Sequence, residues 1–169
     1  MVQATMTTSM GVIEMELDSD KAPKSVANFL SYARKGTYNG TIFHRVISNF
    51  MIQGGGFDKN MQRKPTVAPI TNEADNGLRN VIGSVAMART SAPHSASNQF
   101  FINTADNGFL NHSSKTSRGW GYAVFGRVTS GMDVVRKIEA VATGNQAGMQ
   151  NVPLQAVTIE KVEIIEWKD

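Results

Sequence analysis

The sequence contains no cysteine among its 169 residues. Disulfide bonds, thiolate metal sites and thiol-based catalysis are therefore excluded from its chemistry. Long apolar runs are also missing, since no stretch approaches the ~20 residues that a membrane-spanning helix needs. The N-terminal stretch MVQATMTTSMGVIEMELD has neither a basic start nor a continuous apolar run. We therefore expect no secretory signal, no membrane binding and a cytoplasmic location.

The chain also carries little net charge. The formal net charge is +3 and the sequence pI is about 9.3. The densest basic stretch is KNMQRK, from Lys59 to Lys64, and so short a run is more typical of a solvated loop than of a nucleic-acid interface. We expect no nucleic-acid binding.

Motifs of metal and hydrolytic chemistry are absent from the sequence. The three histidines are His44, His94 and His112, and no two of them stand at ligand spacing. There is no HExxH pattern and no GxSxG elbow around a serine. We therefore expect neither a metal ion nor another cofactor, and a hydrolase has no support.

Hydrophobic periodicity predicts a β-hairpin followed by a helix. Ile13, Met15 and Leu17 alternate with two glutamates, which is the pattern of a half-buried strand, and Ser9-Met10-Gly11 supplies the turn before it. Next, KAPKSVANFLSYARKG places an apolar stripe at helical spacing after a proline and before a glycine, which predicts a helix from about 22 to 35.

The rest of the chain predicts short strands, one further helix and long loops. The strands are expected at 42–46, 51–53, 81–88, 99–103, 122–128 and 156–167, the last with a bulge because its alternation is imperfect. A second helix is expected to begin near Met132, and 54–80 are expected to be loop. We predict one domain, 1–169, built as an antiparallel barrel or sandwich rather than a βαβ fold.

One stretch, TIFHRVISNFMIQGGGF, places a permanent charge, Arg45, among apolar residues and ends in three glycines. An arginine cannot act as a practical acid or base, but it can hold a carbonyl or stabilise charge that shifts during a reaction. The simpler interpretation is an outward-facing strand residue. The amides of Gln53 and Gln99, with Phe101 on the same side of its strand as Gln99, favour a slot for a small apolar group attached to a carbonyl.

The three glycines also suggest a phosphate-binding loop, but no lysine followed by serine or threonine comes after them. A nucleotide-binding protein is therefore a weak alternative. The simpler interpretation of three consecutive glycines is that they permit positive φ angles and the close approach of another backbone segment.

Taken together, several motifs resemble those of the cyclophilins, the barrel-fold peptidyl-prolyl cis-trans isomerases. They are FHRVISNFMIQGGGF, the MA of SVAMART, SNQFFINT, the FL of NGFLN, and YAVFGRV. They follow the order and spacing of the family over nearly the whole chain, and APHSAS and GWGYAVFG look most similar to the cytoplasmic cyclophilins of Gram-negative bacteria. The resemblance implies a mainly β fold, a closed eight-stranded antiparallel barrel capped by two α-helices.

The resemblance also implies an activity and a site. The activity is rotation about X–Pro peptide bonds of unfolded or folding client proteins. Arg45 matches the catalytic arginine, and the proline pocket and its polar edge match Phe50, Met51, Gln53, Gln99, Phe101 and Leu110. The segment that pairs with substrate backbone matches Ala88 and Arg89.

Three residues and one loop depart from the family pattern. Arg89 stands where members often have asparagine, Phe109 where many eukaryotic members have tryptophan, and Tyr122 where they have histidine. The loop between Leu110 and Tyr122 is also longer. These departures leave Phe109 and Tyr122 in the predicted site but imply weak binding of cyclosporin, the family's cyclic-peptide inhibitor.

Two hypotheses of different classes remain besides the nucleotide site. The protein is an isomerase, or it is a module that binds prolyl peptides and turns them over only incidentally. Arg45 favours the enzyme, because a module that only binds has no need of it. We expect a monomer.

Overall fold

The structure is a computed structural model that describes residues 1–166. It contains eleven strands, two α-helices and two single 3₁₀ turns within that range. In chain order the elements are β1 (Val2–Thr8), β2 (Gly11–Leu17), α1 (Pro23–Arg34), β3 (Thr41–Ile42), β4 (Arg45–Ile47), β5 (Met51–Gly54), a 3₁₀ turn (Ala74–Asn76), β6 (Ser84–Met87), β7 (Phe100–Asn103), a 3₁₀ turn (Gly108–Leu110), β8 (Val124–Ser130), α2 (Met132–Glu139), β9 (Thr143–Gln146), β10 (Met149–Pro153) and β11 (Thr158–Glu166).

The N-terminal hairpin forms as its alternation predicts. Along β2, Ile13, Met15 and Leu17 are fully buried while the glutamates between them are not. The hydroxyl of Thr8 donates to the Gly11 carbonyl at 2.7 Å and closes the turn. The bulge predicted in the last strand is also confirmed, since Thr7 pairs with residue 161 and Thr8 with residue 159.

Both predicted helices are present. Helix α1 has Pro23 in its first turn and buries the apolar stripe that includes Val26, Phe29 and Leu30. The Phe29 ring packs edge-on against Phe100, with 5.6 Å between ring centroids, so α1 covers one face of the sheet. Helix α2 buries its apolar side in the same core. Among residues 1–166, no helix has both the length and the apolar character needed to cross a membrane.

The predicted closed, eight-stranded barrel is wrong. The structure has a curled, nine-stranded antiparallel half-barrel with the order β3-β11-β1-β2-β8-β6-β7-β5-β4, and β9 and β10 form a separate two-stranded sheet. The mainly β composition and the two helices hold. Within residues 1–166, β3 forms a ladder only with β11 and β4 only with β5, and β3 has besides one isolated bridge, Thr41 to Asp58. No hydrogen-bonded ladder therefore closes the sheet.

The reason lies in the segment that forms both edges. Strands β3 and β4 are separated by only two residues, Phe43 and His44. Two strands that follow one another in the same direction need a crossover of a dozen or more residues before they can pair. The two edges are therefore connected by the covalent chain. The sequence pattern had predicted one strand here, from 42 to 46, and the structure divides it.

Other strand boundaries also differ from expectation. Strand β6 is shorter than the predicted 81–88, because Val81 and Ile82 are about half exposed. Strand β8 begins at Val124 rather than Tyr122, and the β9–β10 hairpin was not predicted. Residues 54–80 were predicted as loop; Gly54 instead ends β5, and the remainder is loop apart from one 3₁₀ turn and isolated bridges. The predicted last strand includes Trp167, which lies outside the described residues.

Neighbouring phenylalanines on β7 face opposite sides of the sheet, as alternation predicts. Phe100 belongs to the large core beneath α1. Phe101 belongs to a second cluster with Met51, Ala86 and Leu110. The sheet therefore separates the main core from a small apolar cluster on its other face, and that second face carries the candidate site.

Candidate active site

A row of side chains crosses four strands on the second face. Arg45 on β4 is opposite Gln53 on β5, Gln53 is opposite Phe101 on β7, and Phe101 is opposite Ala86 on β6. Directly opposite residues of antiparallel strands project to the same face. Sheet register thus places a guanidinium, an amide and an aromatic ring in a line.

This row forms part of a groove of about 270 Å³. Ten of the site residues predicted from the sequence line it, namely Arg45, Phe50, Met51, Gln53, Ala88, Arg89, Phe101, Phe109, Leu110 and Tyr122. A larger groove of about 520 Å³ lies near Met10 and Leu154, but its lining residues carry no charged side chain. Of these two grooves, the first alone combines an apolar floor with a charged donor.

Gln99 lies behind the lining rather than in it. Its side-chain oxygen accepts from Nε2 of Gln53 at 2.9 Å, and the Gln53 oxygen in turn accepts from Nη1 of Arg45 at 3.3 Å. The Gln99 amide therefore orients Gln53, and Gln53 orients Arg45. Arg45 itself is exposed, so its remaining donors are accessible to a bound molecule.

A glycine makes room for this chain of amides. A Cβ placed on Gly56 would lie 2.5 Å from the Cγ and Nε2 atoms of Gln99. Any side chain at position 56 would push Gln99 away from Gln53. The end of the glycine run is thus explained by the polar edge of the groove, and phosphate binding is not needed to explain it.

The apolar part of the groove has a buried floor and an exposed rim. Met51, Phe101 and Leu110 are almost fully buried. Phe50 stacks on Phe109 with 5.7 Å between ring centroids, and Phe109 is 76% exposed. A small ring could rest on the floor, while Phe109 remains available to a longer ligand.

Arg89 is held by the protein. Its guanidinium donates to the carbonyl oxygens of Gly121 at 2.8 Å, Thr90 at 3.0 Å and Ser117 at 3.0 Å. It also lies over the Tyr122 ring, 4.7 Å from the centroid. The side chain thus joins residue 90 to the loop that contains residues 117 and 121. The predicted pairing of Arg89 with substrate concerns its backbone groups and stays a prediction.

Sequence reasoning missed a buried amide network beneath the groove. Asn103 donates to Asn80 at 3.0 Å and to Ser84 at 2.8 Å. Asn107 donates to Asn103 at 2.8 Å and to the carbonyl of Phe50 at 2.9 Å. Because buried polar groups are costly unless paired, a satisfied network of this kind fixes the positions of the elements it joins.

The same network reaches two further walls of the groove. Asn80 donates to the Tyr122 carbonyl at 3.3 Å, and the carbonyl of Asn107 accepts from the Leu110 N–H at 2.9 Å. In the sequence these asparagines look like turn formers. The pair at positions 103 and 107, on either side of a turn, was the only signal that could have drawn attention to them.

Glu139 of α2 was missed as well. Its Oε2 accepts from the N–H of Asn49 at 2.9 Å, and its Oε1 accepts from Arg136 at 3.0 Å. Asn49 has a positive φ of 59° and precedes Phe50. Burial raises the pKa of Glu139, but the nearby Thr104 hydroxyl, the hydrogen bonds of Arg136 and Asn49 and the Arg136 charge outweigh it, and the pKa is lowered.

We expect Glu139→Ala to lower kcat/KM on an X–Pro peptide by roughly 5- to 10-fold, because the turn before Phe50 loses its anchor. Glu139→Gln keeps an acceptor for the Asn49 N–H and should retain most activity. Asp133→Ala, which removes an exposed carboxylate from the same helix, is the control. Thermal unfolding is measured alongside. Equal losses for Glu139→Gln and Glu139→Ala would show that the hydrogen bond to Asn49 is unimportant.

His44 lies next to Arg45 but is buried, and its ring is 4.6 Å from that of Phe57. Burial, and after it the charges of Arg45 and Arg63, lower the pKa of His44 to about 4. The ring is neutral at ordinary pH. In the described part of the chain, no cluster of three or more His, Asp or Glu residues is arranged to hold a metal ion.

Comparison with known proteins gives a consistent result. A family model described as cyclophilin type peptidyl-prolyl cis-trans isomerase/CLD matches residues 3–164. A peptidyl-prolyl cis-trans isomerase of Streptomyces antibioticus is 64% identical over 160 residues, covering 95% of this chain and 96% of the relative. Peptidyl-prolyl cis-trans isomerase B of Escherichia coli is 57% identical over 162 residues, covering 96% of this chain and 99% of the relative.

A solved structure agrees in fold. It is a cyclophilin type peptidyl-prolyl cis-trans isomerase of Cryptosporidium parvum, crystallised in the presence of the dipeptide Ala-Pro. The two structures superpose with a TM-score of 0.79 and share 25% sequence identity, and the match covers 97% of this chain and 99% of the other.

Proposed function

The chain belongs to the cyclophilin-type peptidyl-prolyl cis-trans isomerases, and we propose that it catalyses rotation about X–Pro bonds in the groove at Arg45. The observation that supports this location is the cross-strand pairing of Arg45 with Gln53 and of Gln53 with Phe101, which places the three side chains in one row. A proline ring fits the apolar floor, and the guanidinium lies at its polar edge. The relative crystallised in the presence of Ala-Pro supports a dipeptide-sized ligand.

The chemistry follows from the amide bond. An X–Pro bond isomerises over tens to hundreds of seconds because resonance gives the C–N bond partial double-bond character. The barrier falls when the proline nitrogen becomes pyramidal and its lone pair leaves conjugation. A donor from Arg45 stabilises that lone pair only in the twisted state, which is selective binding of the transition state.

Positioning of the proline ring supplies the rest of the rate acceleration. The floor made by Met51, Phe101 and Leu110 holds the proline ring while the preceding peptide rotates. An acceleration of ~10⁵-fold corresponds to roughly 7 kcal/mol, which is within reach of a well-placed donor combined with a fixed ring. No covalent intermediate and no proton transfer are required.

The direct test is a protease-free assay of isomerisation on an X–Pro peptide, followed by nuclear magnetic resonance exchange. The folded protein should speed the interconversion at catalytic concentrations. If the folded protein bound the peptide but left the exchange rate unchanged, it would be a binding module, and the proposal would be wrong.

We expect kcat/KM to be nearly constant from about pH 6 to 8.5. Arginine does not titrate in this range, and the pKa of His44, lowered chiefly by burial, is about 4. A catalytic histidine would give an inflection near pH ~6.5. A pH profile of kcat/KM checks this, with and without EDTA, and a clear inflection or a loss of activity with the chelator would contradict the mechanism.

Below that range the fold itself becomes sensitive to acid. The folded-state pKa of His44 is lower than its ordinary value of 6.5, so the unfolded chain takes up the proton first. The stability that depends on neutral His44 is complete above about pH 6.5 and is lost as the pH falls toward about 4. Activity is therefore measured at pH 6 and above.

We further propose weak binding of cyclosporin, with Phe109 as the main cause. An indole at this exposed position offers an N–H donor and more apolar area, whereas phenylalanine keeps only the stacking face. A missing hydrogen bond to a buried carbonyl costs roughly 1–3 kcal/mol, or about one to two decades in affinity. Phe109→Trp should therefore tighten cyclosporin and change kcat/KM little. Calorimetry measures the cyclosporin dissociation constants of both proteins, and equal values would mean that the 111–121 loop, rather than Phe109, causes the weak binding.

The remaining predictions follow from the family resemblance. We propose that residues 1–169 form a single isomerase domain, that the protein acts as a monomer in the cytoplasm, and that its clients are proline-containing segments of folding proteins.

A further inference from the structure

Charge is unevenly divided along the chain. Residues 21–132 contain thirteen lysines and arginines but only four aspartates and glutamates, whereas the rest of the chain contains four basic and ten acidic residues. Every residue that lines the candidate groove comes from the basic part. The modest net charge of +3 therefore conceals a strong local excess.

Three of the four carboxylates in this part are occupied by backbone amides. Asp58 accepts from the N–H groups of residues 60 and 62, at 2.8 and 3.1 Å. Glu73 accepts from the Ser25 N–H at 2.7 Å, and Asp106 from the Ile82 N–H at 2.9 Å. Each carboxylate fixes a loop or a helix end, and none of these contacts involves a basic side chain near the groove.

Five basic residues line the groove or lie on segments next to it, and we call them the basic rim: Arg45, Arg63, Arg89, Lys115 and Arg118. Arg45 and Arg89 line the groove itself. The four ion pairs found among residues 1–166 include none of the five. The positive charge of the rim is therefore not neutralised by carboxylates of the described chain.

One side of the rim is formed by Arg63 and Arg45. The guanidinium of Arg63 lies over the Phe57 ring at 5.1 Å from its centroid, and that ring packs on His44, the neighbour of Arg45. After burial, the charges of Arg45 and Arg63 are the causes that lower the pKa of His44. The contacts through Phe57 and His44 therefore place Arg63 on the same side of the molecule as Arg45.

The other side is the 111–121 loop, which connects two groove residues. Ser117 accepts a hydrogen bond from Arg89 at 3.0 Å, so Arg118 follows directly on an anchored position. Lys115 lies 5.8 Å from the Trp120 ring centroid. Between residues 107 and 132 the chain has no acidic residue, so this loop adds positive charge alone.

We propose that the basic rim recruits proline segments flanked by aspartate or glutamate, so that acidic proline-containing stretches are the preferred substrates of the groove. This inference rests on the proposed function of that groove. A peptide is favoured over a nucleic acid because the rim encloses an apolar floor that fits one proline ring. Fields of this kind raise encounter rates with oppositely charged ligands.

The expected effect is a dependence on both peptide charge and salt. At ~20 mM ionic strength, kcat/KM should be roughly 3- to 10-fold higher for a peptide with glutamates beside X–Pro than for the matched lysine peptide. The Debye length is about 10 Å at 0.1 M salt and about 3 Å at 1 M. The ratio should therefore approach one in ~1 M salt.

Two double variants with the same net charge locate the effect. Lys115→Gln with Arg118→Gln removes two charges from the rim. The control, Lys21→Gln with Lys35→Gln, removes two exposed charges that flank α1, whose apolar side packs on the other face of the sheet. The rim variant should lose at least half of the glutamate preference, the control should keep it, and both should process a neutral peptide like the parent protein.

The outcomes separate this inference from the function on which it rests. No acceleration of any peptide would refute the proposed function. Normal turnover of the neutral peptide with equal rates for glutamate and lysine peptides would refute only the acidic preference, as would equal losses in the two variants. A single-stranded RNA oligonucleotide is added as competitor, and inhibition below the concentration at which the glutamate peptide saturates would assign the rim to nucleic acid instead.

Discussion

Arg45→Ala is expected to lower kcat/KM on an X–Pro peptide by about 100- to 1000-fold while the protein remains folded. The loss is large because the proposed mechanism relies on one donor that acts in the twisted state, and removing such a donor typically costs this much. The effect on stability should be small, since Arg45 is exposed and its one hydrogen bond to Gln53 is long, at 3.3 Å.

Arg45→Lys separates charge from geometry. Lysine keeps the positive charge but replaces the planar, five-donor fork with a flexible ammonium. We expect it to recover less than about a tenth of the lost activity, because the donor must reach one nitrogen in one direction. Arg127→Ala on β8, another exposed strand arginine, is the control and should leave turnover unchanged.

Isomerisation and circular dichroism are measured on the same preparations. Near-normal turnover in a folded Arg45→Ala protein would falsify the mechanism. Loss of activity together with loss of the circular dichroism signal would instead assign Arg45 a structural role, and that outcome also contradicts the small stability effect expected here.

Gly55→Ala is expected to lower the free energy of unfolding by about 3–5 kcal/mol, the largest stability effect that we predict. Gly55 has a φ of 92°, which an L-residue adopts at a cost. A Cβ there would also lie 2.8 Å from Cε1 of Tyr38 and 2.9 Å from Cε1 of Phe100. Both rings are fully buried, so neither can move aside cheaply.

Gly40→Ala isolates the backbone part of this cost. Gly40 has a similar φ of 80°, and in the described part of the chain nothing lies within 4 Å of a Cβ built there. We expect it to lose only about 1 kcal/mol. Urea unfolding of both variants measures the difference, and equal losses would mean that the core around Gly55 tolerates the added methyl group.

Local patterns in the sequence predicted the parts of the fold that depend on local rules. The β1–β2 hairpin and α1 were predictable because their apolar residues recur at periods of two and of three to four. The β9–β10 hairpin was not predicted, because its strands have little alternation and its turn places Ala147, rather than glycine or asparagine, at a positive φ of 51°.

The same distinction applies to the site. Residue chemistry singled out Arg45, Gln53 and Phe101, and periodicity gave the shared face of Gln99 and Phe101. The other groove-lining residues were named through a family resemblance. Glu139 and the asparagines beneath the groove act through partners that are distant in sequence, such as Asn49, 90 positions away. No local rule predicts such a contact, because a carboxylate on a helix is usually only a solvated side chain.

The position of β11 in the sheet bears on when the protein becomes active during its own synthesis. This strand is synthesised after the other ten strands, yet it lies between β1 and β3, which are made early. Strand β3 has no other ladder partner among residues 1–166, and Arg45 follows it after two residues. A nascent chain that still lacks β11 can pair β4 with β5 but cannot pair β3 in its ladder, because non-local pairings form only when both strands are present. The sheet edge next to the Arg45 segment is therefore completed only when β11 is present, and we expect nascent chains that lack this strand to turn over X–Pro bonds more slowly.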